Sequence, residues 1–197
     1  MYAIRPFHIS DLTSLYRICF ETVFGGAEEM ARYTDTDLLG HFYAAPYAVL
    51  EPELCFVLTL DGAPVGYVLG TANSAAFRAA CEAGWFPPLR ERYPLPDASN
   101  RSRDAGMIRL IHRGHSADLE LPDYPAHLHI DLLPVAQGGG QGRKIMERFL
   151  ETLRAKGVPG VHLGVGRINA NAIGFYERMG FQKLEESELA ITFGMRY

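Results

Sequence analysis

Seven residues, Gln137-Gly138-Gly139-Gly140-Gln141-Gly142-Arg143, constrain this chain more than any other stretch. They follow an apolar run, residues 128–135, interrupted by His129 and Asp131. They open into residues 143–156, where Ile145, Met146, Phe149, Leu150 and Leu153 recur on one helical face. A strand feeding a glycine-rich turn and then a helix makes an anion cradle. Without Cβ atoms the backbone N–H groups converge, and the helix N-terminus adds its dipole. The guest this predicts is a phosphate or pyrophosphate.

The chain has 197 residues, nearly half of them hydrophobic, enough for one domain with a single core. We expect one domain over 1–197 with an insertion at about 84–126. The net charge of −4 lacks the basic excess that a sequence-independent grip on nucleic acid requires. Cys19, Cys55 and Cys81 are odd in number and widely spaced, which points to free buried thiols rather than a disulfide framework. Residues 1–7 carry Arg5 and no long apolar run, and no window approaches the roughly 20 apolar residues of a membrane span. The expectation is a cytoplasmic protein without a membrane or nucleic-acid partner.

Along the chain, residues 2–7 read as a strand. Ser10 or Asp11 starts a helix carrying Leu12, Leu15, Tyr16, Cys19 and Val23, stopped at Gly25-Gly26. Residues 28–42 are helical but broken by Thr and Asp. Pro46 and Pro52 bracket an extended piece. Residues 54–60 and 64–72 form a hairpin about Asp61-Gly62, and Asn73 or Ser74 caps a helix to about 83. The proline- and arginine-rich segment 84–125 reads as an insertion over one face of the sheet, with one short helix at 107–112. Strands follow at 127–133 and 161–165, a helix capped by Asn169 or Asn171 runs through Met179 to Gly180, and two strands close the chain around 185–188. This order is α/β: a mixed, mostly antiparallel sheet with helices on both faces.

Three glycine loops compete for the phosphate. A dinucleotide fingerprint places its third glycine where Arg143 stands, and it belongs in the first βα unit. A Walker A loop requires Ser or Thr after Lys144, where Ile145 stands. The third is Arg/Gln-x-x-Gly-x-Gly/Ala, matched by Gln137, Gly140 and Gly142. Downstream, Asn169-Ala-Asn171-Ala-Ile-Gly-Phe175-Tyr176-Glu177-Arg178-Met179-Gly180-Phe181 fits Asn-x-x-Ala-x-x-Phe/Leu-Tyr-x-x-x-Gly-Phe. In these two motifs, covering about the last third of the chain, the sequence resembles the GNAT superfamily of N-acetyltransferases. The stretch from Tyr124 to Asp131, with the region 85–93, is further similar to the acetyltransferase-like domain joined to O-GlcNAc hydrolases in animals. That domain lacks a good glycine loop and is regarded as a pseudo-acetyltransferase. This chain keeps the loop.

The resemblance implies the GNAT fold and acetyl-CoA as cosubstrate, with no metal. The backbone of Gly138, Gly139, Gly140, Gln141, Gly142 and Arg143 would hold the pyrophosphate, with Gln137 ordering the loop or bonding a phosphate oxygen. Arg143 reads equally as a solvated helix-start residue or as a cation relieved by an anionic guest. The resemblance also implies splayed strands 130–133 and 161–165 with the pantetheine arm between them, and an amide near Leu132 or Leu133 bonding the thioester carbonyl. Asn169 and Asn171 divide helix capping and a hydrogen bond to that arm. Tyr176 is the expected acid toward the departing thiolate, or else a packed core tyrosine.

His127, His129 and Asp131 alternate on one strand face. Asp131, or less strongly a histidine, is the candidate base if that face lines the acceptor cleft; against core helices they are satisfied polar residues. A zinc site from His127 and His129, with His112 and His115, lacks any nearby cysteine. Trp85 and the arginines of 84–126 stand as possible acceptor contacts, and Asp118, Glu120 and Asp123 as attraction for a cationic amine. The expected reaction is direct acetyl transfer to an amine of a protein or small molecule, by a monomer or homodimer. The rival is a non-catalytic module binding acetyl-CoA or a peptide.

Overall fold

The structure is a computed structural model that describes residues 1–23, 26–115 and 121–197. Strand β1 (Tyr2–Pro6) leads through a single helical turn into α1 (Leu12–Glu21). Asp11 is the N-cap of α1; His8 caps the preceding turn by accepting from the Ser10 N–H, and the Asp11 carboxylate accepts from the His8 N–H and from Arg5 at 2.6 and 2.8 Å. The helical stretch after α1 is broken as expected, into α2 (Gly26–Met30) and α3 (Asp37–Tyr43). The piece between Pro46 and Pro52 corrects the sequence reading: it is helix α4 (Ala45–Leu50). Pro46 sits in the first turn, where a missing N–H breaks no hydrogen bond.

Strands β2 (Cys55–Leu60) and β3 (Ala63–Thr71) form the hairpin, its turn made by Asp61 (φ 50°) and Gly62 (φ 86°). Asn73 caps α5 (Ser74–Ala80) by accepting from the Ala76 N–H. The chain then stays helical where the sequence showed proline-rich loop: a π turn (Cys81–Trp85), α6 (Phe86–Arg92) and, after a loop, α7 (Arg103–Arg113). Pro87 and Pro88 fall in the opening turn of α6, so they start it rather than break it. Phe86, Leu89, Met107 and Ile111 are buried from these helices.

Then come β4 (Ala126–Leu132), α8 (Gln141–Ala155), β5 (Gly160–Gly166), α9 (Ala170–Met179), β6 (Gln182–Glu186) and β7 (Ala190–Arg196). The sheet order is β1-β2-β3-β4-β5-β7-β6, antiparallel except for the parallel pair β4–β5. The apolar stripe of α8 (Ile145, Met146, Phe149, Leu150, Leu153) is buried against this sheet. Gly70 on β3 admits it closely, since a Cβ there would fall 2.5 Å from Phe149. The three cysteines are free and buried. Among the described residues no helix is long and apolar enough to cross a membrane.

One feature of the sheet positions the site. β4 pairs with β5 at Ala126 opposite Val161 and His127 opposite His162, after which the strands part. β5 continues in register with β7 and β4 with β3. The parting therefore opens a wedge in mid-sheet whose two walls have backbone groups unpaired with each other.

Candidate functional site

A cavity of about 780 Å³ lies along the β4 side of that wedge. Its wall runs from Ile130, Asp131 and Leu132 on β4, through the glycine loop, to Asn169, Asn171 and Tyr176 on α9. At the loop, Gly138, Gly139 and Gly140 take φ of 74°, 54° and 76° in succession. No atom lies within 4 Å of a Cβ built on any of them. Their glycine requirement is therefore conformational: only a residue without a Cβ adopts three left-handed φ angles in a row cheaply. The result is a turn of backbone amides opening α8, whose N-cap is Gly140.

Gln137 orders this loop, since its side-chain amide donates to the Leu132 carbonyl at 2.9 Å. Arg143 lines the cavity, donates to the Arg178 carbonyl at 3.1 Å and lies 3.6 Å from Glu147. Gln141 begins α8 but is absent from the cavity wall.

Register decides between the two leucines. In an antiparallel pair, alternate residues turn their peptide groups toward the partner and away from it. The Leu133 N–H donates to the Val65 carbonyl at 2.9 Å, so it is committed to the sheet. Leu132 stands opposite Gly66 in the alternate position, with its N–H turned toward the wedge. Leu133 is buried and does not line the cavity. Of the two leucines the sequence expectation named, Leu132 is the one on the cavity wall.

The two asparagines also divide. Asn169 caps α9, accepting from the Ala172 N–H at 3.1 Å, while Asn171 is exposed on the cavity wall. Tyr176 is 8 % exposed, and its hydroxyl is held protonated by burial and by the nearby Asp131 charge.

Asp131 faces the cavity. Tyr67, directly opposite on β3, donates its hydroxyl to Asp131 Oδ2 at 2.5 Å. Burial raises the Asp131 carboxyl above its ordinary range, against the Tyr67 hydrogen bond.

His127 and His129 share its strand face, half-buried and hydrogen-bonded to Ser74 and Tyr47. Ser74 Oγ lies 2.7 Å from the Pro125 carbonyl and 2.7 Å from His127 Nδ1. A carbonyl only accepts, so the hydroxyl proton goes to Pro125 and His127 donates from Nδ1. His127 Nε2 then accepts from the Tyr47 hydroxyl at 2.8 Å, and the Tyr47 oxygen accepts from His129 Nε2 at 3.2 Å. Burial pushes His129 down to about 4 and His127 well below its ordinary range. Both imidazoles are thus held neutral and partnered beneath Tyr47. Among the described residues no group of three potential ligands is placed to hold a metal ion.

The remaining acceptor expectations fare differently. The Trp85 indole donates to the His41 carbonyl, Arg90 pairs with Glu82, Arg103 with Glu29, and Arg109 holds the backbone of Asp97 and Asn100. These residues do not line the cavity. Asp123 pairs with Arg196 at 3.2 Å, and Asp118 and Glu120 lie outside the described residues. Sequence reading missed Thr22 and Val23, which come from the end of α1 to line the cavity. Nothing local marks them; only the fold brings them to Asp131. Phe175 and Arg178, also on the wall, lay inside the downstream motif without being singled out.

Comparison with known proteins follows the same lines. The model of the acetyltransferase (GNAT) family matches residues 9–181. The crystal structure of SsHAT is 41 % identical, with a TM-score of 0.91, over 99 % of this chain and 98 % of that one. The PaiA N-acetyltransferase of Thermoplasma acidophilum, solved in complex with coenzyme A, shares the fold at 14 % identity, with a TM-score of 0.59 over 100 % of this chain and 99 % of that one. Rat protein O-GlcNAcase is 26 % identical over 191 residues, which is 95 % of this chain and 21 % of that protein. The chain thus spans about a fifth of that relative's length. A splayed β4–β5 wedge, a left-handed glycine turn at its mouth and a match over most of the sequence agree: the chain belongs to the acetyltransferase (GNAT) family.

Proposed function

We propose that this protein transfers an acetyl group from acetyl-CoA to an amine, with donor and acceptor bound together. The observation that carries the reading is the wedge, where one cavity joins an anion-binding turn to Asp131 and Tyr176. The chain's groups suit such a cosubstrate. The turn offers converging amides and open space to a diphosphate, and the parted strands offer unpaired peptide groups to an extended amide-bearing arm. The thioester supplies an activated acetyl group.

The protein's own contributions are positional and electrostatic. The Leu132 N–H donates to the carbonyl oxygen as negative charge develops there. Tyr176, kept protonated, gives its proton to the departing sulfur. Asp131, its basicity raised by burial, accepts the proton of the incoming ammonium, directly or through water.

Calorimetry with acetyl-CoA tests the first half of the reading; absence of binding at millimolar concentration sinks it. A panel of amines, peptides and aminosugars, followed by thiol release, tests the second. The similarity to part of O-GlcNAcase keeps a non-catalytic module as the alternative. Tight acetyl-CoA binding with no transfer to any panel member and no effect of Tyr176→Phe on thiol release favours that module.

A further inference from the structure

We infer that Tyr67 is the positioning residue of the Asp131 carboxylate, occupying Oδ2 and leaving Oδ1 to face the acceptor. This rests on the acid–base reading of the cavity. Tyr67 is fully buried on β3, with no surface toward solvent. It stands directly across the β3–β4 ladder from Asp131, and its hydroxyl donates to Oδ2 at 2.5 Å. Cross-strand partners project on the same sheet face, so the ladder itself aims the phenol at the carboxylate.

Thr22, just past the end of α1, is a second and weaker hydrogen-bonding side chain to Asp131. Its hydroxyl also lies 2.7 Å from the Ile18 carbonyl, which competes for the single proton. The titratable groups packed around Asp131 are Tyr67 from β3, the Cys19 thiol from α1 and the Tyr176 phenol from α9. Burial keeps all three protonated and neutral. Tyr67 is therefore the main group that fixes the carboxylate rotamer and stabilises its charged form. A buried carboxylate without such a donor rotates freely and holds its proton more tightly.

The test is a ¹³C NMR titration of the Asp131 carboxyl in the full chain, assigned with Asp131→Asn and compared with Tyr67→Phe. Removing the phenol oxygen raises the midpoint by about one pH unit. In parallel, acetyl transfer to the best-accepted amine of the panel is followed as thiol release. The acid limb of kcat/KM moves up by the same interval in Tyr67→Phe, with roughly a tenfold loss below it and convergence with wild type at high pH.

An unmoved Asp131 midpoint overturns the inference while leaving the functional reading intact. Unchanged thiol release in Asp131→Asn overturns the acid–base reading on which it rests. If Tyr67→Phe does not fold, the wild-type Tyr67 hydroxyl proton decides. A slowly exchanging, downfield resonance that vanishes in Asp131→Ala supports the contact, and its absence from the wild-type spectrum rejects it.

Discussion

The side-chain amide of Gln137 donates to the carbonyl of Leu132 at 2.9 Å, tying the glycine turn to the residue whose N–H faces the wedge. The two halves of the cavity are thereby held at one spacing. Replacing Gln137 by Ala removes a single exposed hydrogen bond, so global stability changes little. Acetyl-CoA affinity, measured by calorimetry, falls by a few-fold to about tenfold because the turn is no longer pre-ordered.

Gly139→Ala and Gly140→Ala test the turn itself. An L side chain at φ 54° or 76° costs about 1–2 kcal/mol, and no neighbouring atom obstructs it. We expect Tm to fall by several degrees and acetyl-CoA affinity to fall by about tenfold or more in each. Affinity unchanged in both variants would separate the turn from the diphosphate.

Tyr176→Phe keeps the ring contacts with Phe181 and Phe193, at centroid distances of 5.8 and 5.9 Å. Acetyl-CoA affinity is therefore expected within about twofold of wild type. Acetyl transfer falls by about 10² if the hydroxyl is the acid. Equal turnover would assign the tyrosine to packing.

Asp131 has a folded-state carboxyl raised mainly by burial. The folded protein thus holds that proton more tightly than the unfolded chain, whose value is about 3.9. Stability from this group is fully present below the unfolded value and declines as pH rises through the folded one. Asp131→Asn removes the decline. Its Tm should exceed wild type at neutral pH, and the gain should vanish near pH 3. Acetyl transfer should fall in the same variant, as expected of a functional group held at a cost in stability. A constant Tm difference across pH contradicts this.

The hydrogen-bond directions through Ser74, His127, Tyr47 and His129 fix two tautomers. Long-range ¹⁵N–¹H NMR should show His127 protonated at Nδ1 and His129 at Nε2, both neutral down to about pH 5 because burial depresses them. Either ring titrating near its ordinary value would return it to the list of bases.

Local chemistry determined much of this protein without the fold. The glycines of 138–140 announce left-handed φ, Asn169 announces a helix cap, the stripe from Ile145 to Leu153 announces a buried helix face, and Asp61-Gly62 announces a hairpin. Each depends on residues within a turn or two of one another, so the signal is complete in the local sequence. Helices α4 and α6 are hidden from a local reading because proline breaks a helix only beyond its first turn, and here it enters the first.

The tertiary structure decided what depends on residues far apart in the chain. Leu132 was separated from Leu133 by strand register, which no local pattern encodes. Asp131 was separated from His127 and His129 by what packs above each: Tyr67 and the wedge for the first, Tyr47 and Ser74 for the others. Thr22 and Tyr67 reached the site only through the sheet and helix packing that carries them there. Burial and hydrogen-bond partners set the proton affinities, and both are properties of neighbours in space rather than in sequence.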